Sequence, residues 1–272
     1  MDTVKFDWKL TPEHPVKIHS STHLPGMVSA PSDIHSSIHI GLLLKGDTTG
    51  LHNGESITVQ ENELYLISPW EPHRTLGSKS GNNLLLITAD PAALNRLLLH
   101  GAQKLNILCR IPPRRRQEIL QTVKIPGFYP EKILQLLSEE ETPERELKLL
   151  NAALGIITEI VCADFSAEPE PEYLRLLPAL ETLGNRSVSV AEAAEKCHLS
   201  ESRFAHLFRQ IFGMPFARYE RLYRLRGAFD QLCHEHSGVE ETAEKWGFYD
   251  KSHFSRSFRK EFGFSPKNAL KH

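Results

Sequence analysis

The sequence has no long apolar run. "LLLITAD" is cut by Asp90 and "ALGIITEIVCADF" by Glu159, so nothing reaches the roughly 18 residues a membrane span needs. The opening "MDTVKFDWKL" carries acids and lacks the apolar core of a secretory signal. A cytoplasmic protein without a membrane partner is the expectation. Cysteine is scarce: Cys109, Cys162, Cys197 and Cys233 are too scattered for a CxxC zinc site or a disulfide framework. Each reads as a small apolar core residue or a free thiol. Strong charge of one sign is also missing, with a formal net charge of −2. The balance is uneven along the chain, however. Residues 172–272 hold 16 Lys/Arg against 13 Asp/Glu, and the rest holds 16 against 21. A mildly basic C-terminal part on an acidic chain is compatible with nucleic-acid binding. At 272 residues, with 24% charged and 40% apolar residues, an ordinary globular protein of about two domains is expected.

"SAEPEPE" at 166–172 reads as a linker. Pro169 and Pro171 remove backbone donors, so helices are expected to stop on either side. Before it two regimes follow one another. Between Ile38 and Thr88, short apolar or alternating runs ("IHIGLLL", "ESITV", "ELYLIS", "NLLLIT") are separated by turn residues. Asn53–Gly54 is a type I′ hairpin signal, since both residues tolerate positive φ. Several short strands at this spacing suggest a small antiparallel barrel or sandwich. From Pro112 to Phe165 the period becomes helical. Leu147, Leu150, Leu154, Ile157 and Val161 form one apolar stripe, which fits either a dimer interface or packing on the chain's own barrel.

After the linker the chain reads as helical to its end. Ser189 with Glu192, and Ser237 with Glu240, mark two helix starts as capping boxes. "SESRFAHLFRQIFG" (200–213) and "DKSHFSRSFRKEFG" (250–263) are near copies. In each, phenylalanines four apart (Phe204, Phe208, Phe212; Phe254, Phe258, Phe262) line one helix face and must pack inward. Ser200 and Asp250 are placed to cap the helices. Shorter helices, "AEAAEKC" and "EETAEKW", precede the copies across a tight turn, which is the helix-turn-helix layout. The units are placed at about 190–212 and 238–262.

A helical bundle with an internal duplication would explain the phenylalanines but not the opposite face. There, Ser202, His206 and Arg209 in one copy, and Ser252, Arg256 and Arg259 in the other, lie across from the aromatic rows. Arg203, Lys251 and His253 flank them, and acids are almost missing. Short polar and cationic side chains on the first turns suit base-edge and phosphate contacts in a major groove. Between the copies, "PFARYERLYRLRGAFDQLCHE" reads as a helix of about 20 residues, roughly 30 Å long. Major grooves on one side of B-DNA lie roughly 34 Å apart, so one linker helix can hold two recognition helices in adjacent grooves. Gly227 is the weak point of that helix, costing about 1 kcal/mol against Ala, and Gly227→Ala is expected to stiffen it.

Residues 173–272 resemble the DNA-binding domain of AraC-type transcriptional regulators. Ala194, Leu199–Ser200, "GMPFARY", Arg224, Ala228 and above all "GFYDKSHFSRSFRKEFGFSP" carry the resemblance. It implies base contacts by Ser202, Arg203 and His206 from the first unit, and by Lys251, Ser252, His253 and Arg256 from the second. His198 stands where the family has a turn glycine, at a position requiring positive φ.

The first half, from strand through "KGDTTG" and a hairpin to "QENELYLISPWEPHR", resembles the family's cupin-like effector barrel. The implied fold is α+β: a barrel over 1–111, a helical connector over 112–165, the linker, and an all-α domain over 173–272. The implied function is a regulator, by default an activator, controlled by a small-molecule effector. Its partners would be double-stranded DNA, a second copy of the chain, and RNA polymerase if it activates. His39, Trp70 and His73 are the candidate effector contacts. His35, His39 and His73 also raise a metal reading, but the metal-binding cupin phrase of paired histidines followed by glutamate is missing. No metal, cofactor or catalytic residue is assigned. The rival reading is a metal-dependent cupin enzyme with a helical appendage, which leaves the recognition faces unexplained. An alkylation-repair regulator with a zinc-bound cysteine cluster is opposed by the dispersed cysteines.

Overall fold

Asn53 and Gly54 take φ of 49° and 84°, the two left-handed residues a type I′ hairpin requires. They join the long strand β2 (Ile38–His52) to β3 (Glu55–Gln60). The computed structural model describes residues 10, 14–26, 33–98, 101–234 and 237–269. With β1 (Val16–His23), β4 (Leu64–Ile67), β5 (His73–Gly77) and β6 (Asn82–Ala89) they form a six-stranded sheet. Its order is β1-β6-β2-β3, with β4 and β5 also paired to β2. β1 lies ahead of the region where strand signals were read.

Described residues 14–26, 36–69 and 75–170 form one compact unit, and 33–35, 70–74 and 171–269 a second. In the first, register decides which sheet face carries what. Ile40 sits opposite Ile87 and Leu66, and Leu42 opposite Leu85 and Leu64. This face is covered by helices in one core with Leu105, Leu120, Ile133 and Ile156. On the other face His39 sits beside Thr88, and Leu43 clusters with Ile57, Val59, Tyr65 and Leu84. Tyr65 lies across Gly41, where a Cβ would fall 2.0 Å from the ring. Burial pushes the phenol's pKa up.

Helices begin earlier than the periodicity suggested, with α1 (Pro91–Leu98) and α2 (Ala102–Leu108) ahead of α3 (Pro113–Leu120). From α3, Arg116 donates to Ser68 Oγ (2.6 Å) and Gln117 to the Leu64 carbonyl (2.9 Å), fixing the helix to β4. α4 (Phe128–Leu137) meets α5 (Pro143–Cys162) through Arg145. Its buried guanidinium donates to the carbonyls of Leu136 and Leu137, satisfying a helix C-terminus with a cation. The apolar stripe on α5 divides. Ile157 and Val161 are buried with Leu149, Ala153, Ile156 and Ile160, whereas Leu147 is 67% exposed and Leu150 and Leu154 are half-buried. Of the four free cysteines, Cys197 is buried and Cys162 exposed.

The second unit is built from α6 (Pro171–Glu181), α7 (Val190–Lys196), α8 (Glu201–Phe212), α9 (Phe216–His234), α10 (Val239–Lys245), α11 (Lys251–Phe262) and α12 (Pro266–Ala269). The linker is shorter than its prolines suggested. Pro171 opens α6, because a first helical residue needs no intrahelical N–H donor. Of the two capping boxes, Ser189 accepts from Glu192 N, but Ser237 does not cap α10. Gly238 is the cap residue there, and the Ser237 hydroxyl instead accepts from Gln231 Nε2 at 3.1 Å. Gly227 is not a defect in α9. A Cβ there would come 1.9 Å from the indole of Trp246, so the expected gain from alanine is overturned. Among the described residues no helix is long and apolar enough to cross a membrane.

Candidate nucleic-acid interface

Both long helices of the repeat start on side-chain caps. Ser200 Oγ accepts from Arg203 N at 3.3 Å, and Asp250 Oδ1 from His253 N at 2.6 Å. Each ends on a left-handed glycine, Gly213 (φ 68°) and Gly263 (φ 78°), as helix C-termini favour. The tight turns also match in conformation: His198 (φ 53°) does in the first what Gly247 (φ 66°) does in the second. Phe204, Phe208, Phe254 and Phe258 are fully buried, Phe212 nearly so and Phe262 partly. Phe204 and Phe208 meet Phe216 edge to face, at 5.2 and 5.1 Å between ring centroids.

Burying these rows turns the opposite faces outward. Ser202, Arg203, His206 and Arg209 on α8, and Lys251, Ser252, His253, Arg256 and Arg259 on α11, are all exposed. Lys251 Nζ lies 3.7 Å from Glu240, a surface pair worth little. The outer faces therefore present exposed hydroxyls, imidazoles and cations, which is the chemistry of phosphate and base-edge contact.

A buried ion pair inside α9 ties the two helix-turn-helix units. Glu220 and Arg224, one turn apart, are 2.6 Å apart and nearly inaccessible. Glu220 also accepts from Val188 N at the entry to the first unit (3.2 Å). Arg224 donates to the carbonyls of Trp246 and Gly247 in the turn of the second, at 3.0 Å each. Its guanidinium also lies 4.7 Å from the Phe248 ring centroid. In the sequence Arg224 stands out only through the family resemblance; nothing local to it shows the second turn it reaches.

A cleft of about 480 Å³ opens between α9 and α11 and is lined by Arg218, Arg221, His253, Arg256, Lys260 and Glu261. Burial holds the Glu261 carboxyl above the usual range, against the pull of Arg218, Arg221 and Lys260. Arg218 and Arg221 were not singled out in the sequence, where they look like ordinary helix-surface charges.

The candidate effector residues fare differently. Trp70 (φ 60°) packs on Tyr223 at 4.3 Å between centroids, and its carbonyl accepts from Tyr219 Oη at 2.8 Å. It is committed to packing within the second unit. His73 meets His35 edge to face at 4.8 Å, and its Nδ1 lies 2.8 Å from the Glu71 carbonyl. His39 is buried, with Nε2 3.3 Å from Ser37 Oγ. Beside His39 on the sheet face, Thr88 Oγ1 is buried with no hydrogen-bond partner among the described residues.

Residues 193–272 match the helix-turn-helix domain family. The chain is 31% identical over 98 residues to the transcriptional regulator AlkR of Acinetobacter baylyi, covering 36% of this chain and 32% of that protein. It is 25% identical over 241 residues to the transcriptional activator RhaS of Escherichia coli, covering 81% of each. The chain thus spans about a third of AlkR, and under half (43%) of YidL of Escherichia coli, another regulator it matches. Its fold is similar to that of ToxT from Vibrio cholerae, solved with a butenoic acid derivative bound. The TM-score is 0.53 at 12% identity over 94% of this chain and 98% of that one.

Proposed function

This chain carries an AraC-type helix-turn-helix domain, and we propose that it is a sequence-specific DNA-binding regulator of transcription, an activator under the control of a small molecule. The observation that carries this reading is the pair of outward polar faces on α8 and α11, joined by the Glu220–Arg224 node of α9. Ser202, Arg203, His206, Lys251, Ser252, His253 and Arg256 take the base-facing positions. Arg209 and Arg259, a turn deeper in each helix, take phosphates. RhaS is an activator by name and ToxT has been solved with a small carboxylic acid bound, which supports effector-controlled activation here.

The effector reading rests on the buried sheet face opposite the one that packs on the helices. His39 and Thr88 offer polar groups there amid Leu43, Tyr65 and Leu84, a mostly apolar surface with few polar groups as ligand sites have. Of the three candidate effector contacts, His39 lies on this face. Dimerisation is assigned to the outer side of α5, where Leu147 stands exposed beside Leu150 and Leu154. The cytoplasm is the proposed compartment, and RNA polymerase a partner in activation. The relatives it matches are named as regulators rather than enzymes.

The test is selection of duplexes from a random library by the full chain. Enrichment of two conserved boxes about one helical turn apart is expected. A library that emerges unenriched overturns the reading.

A further inference from the structure

α9 is buried on nearly every side, and Ala217, Arg218 and Arg221 are the exposed positions among its described side chains. The two arginines, one turn apart, line one wall of the cleft; Arg256 and Lys260 of α11 line the other. Four full positive charges converge there with one carboxylate, that of Glu261. A merely solvated helix face would mix signs, as α5 does where Lys148 pairs with Glu144. Like charges held in a concavity repel one another, and an anion lying among them relieves that repulsion.

The cleft is continuous with the proposed recognition face, because Arg256 and His253 belong to both. At 19 residues, α9 runs roughly 28 Å, close to the spacing of adjacent major grooves on one side of B-DNA. Two recognition helices set in those grooves leave α9 facing the sugar–phosphate backbone that separates them. Arginines with fork-shaped donors are suited to phosphate oxygens.

We infer that this cleft grips the phosphodiester backbone between the two boxes, with Arg218, Arg221 and Lys260 as phosphate contacts. The inference rests on the proposed function and adds residues outside the recognition helices. Glu261 opposes the contact, and its removal strengthens it.

The test uses the full chain and the selected duplex, titrated across a potassium chloride series. Arg218→Ala, Arg221→Ala and Lys260→Ala each weaken binding about tenfold on specific and non-specific duplexes alike. Each also lowers the salt slope by about 1, with base preference unchanged. Glu261→Gln tightens binding severalfold, a gain that misfolding cannot produce. Neutral methylphosphonates between the boxes weaken the wild type, and cost the Arg218→Ala/Arg221→Ala variant much less. Unchanged slopes in the arginine variants overturn the inference while leaving the proposed function standing. So does a free-anion site, in which inorganic phosphate raises the wild-type melting temperature through these arginines while DNA affinity ignores them. Loss of all sequence-specific binding by the wild type would sink both.

Discussion

Trp246 lies against the backbone of α9 at Gly227. A Cβ on that residue would sit 1.9 Å from the indole Cη2 and 2.4 Å from Cζ2. The ring is held in place, since its Nε1 donates to Gln231 Oε1 at 2.8 Å. Glycine is thus the contact surface between the linker helix and the first helix of the second unit. Helix propensity alone would reward Gly227→Ala by about 1 kcal/mol, but overpacking costs about 1–3 kcal/mol. The second effect wins. Urea unfolding should show a lower midpoint for Gly227→Ala, and a raised midpoint would show that the indole yields freely.

The Glu220–Arg224 pair should matter more than any surface charge. Arg224→Leu leaves Glu220 buried with only the Val188 N–H for company, and breaking such a pair costs about 3–5 kcal/mol. Replacing both by leucine removes the stranded charge and should cost less than Arg224→Leu alone. A double-mutant cycle in denaturant measures the coupling; a cost under about 1 kcal/mol for Arg224→Leu would mean the pair does not tie the units.

The contrast between Ser200 and Ser237 marks what was legible in the sequence. Ser200 caps α8, as its position indicates, because an N-cap bond spans three residues and needs no tertiary partner. The same local logic yields the Asn53–Gly54 turn, the Asp250 cap and the inward phenylalanine rows. Ser237 fails because Gln231 holds its hydroxyl, a contact set by how α9 ends. Gly227 beneath Trp246, Tyr65 across Gly41 and the arginines of the cleft likewise depend on which helix or strand lies opposite. The proline linker ends earlier than its composition suggests for a related reason, since Pro171 serves the start of α6 as well as the end of extended chain.

Glu261 gives a pH signature with a definite sign. Its carboxyl pKa is raised by burial, only partly offset by Arg218, Arg221 and Lys260. The folded state is therefore penalised at pH above the folded pKa, where the group must ionise. The penalty fades as pH falls through that value toward the ordinary glutamate range. Glu261→Gln should stabilise the protein near neutral pH, and the difference from wild type should shrink toward pH 4. Thermal melts of the two proteins across this range check it; a constant difference would refute the assignment.

Arg256 and Arg259 should separate although both are exposed on α11. Arg256 is one turn into the helix, where the proposed docking would put it within reach of guanine O6 and N7. Arg256→Ala should cost about 1–3 kcal/mol at one base position. Arg259 lies further along, and its loss should weaken all sequences alike while flattening the salt dependence. Selected sites that keep the wild-type base preference with Arg256→Ala would remove it from base reading.

The rigidity of the linker is tested by moving the boxes. α9 carries both units, and the Glu220–Arg224 pair reaches Val188 on one side and Trp246 and Gly247 on the other. One protomer should then read two boxes about one helical turn apart, roughly 10 base pairs. Inserting about five base pairs turns the second box to the far side of the duplex, where α11 cannot follow. Affinity should fall to that of a single box, and protection of the second box should vanish. Inserting a full turn restores the face but adds roughly 34 Å, more than the length of α9 itself at roughly 1.5 Å per residue. It should therefore fail to rescue binding by one protomer. In Arg224→Leu the tie to the second turn is cut, so the penalty for the five-base-pair insertion should shrink as natural-spacing affinity drops. Footprints that show equal protection at all three spacings with the wild type would mean that the two units bind independently, each on its own helix-turn-helix.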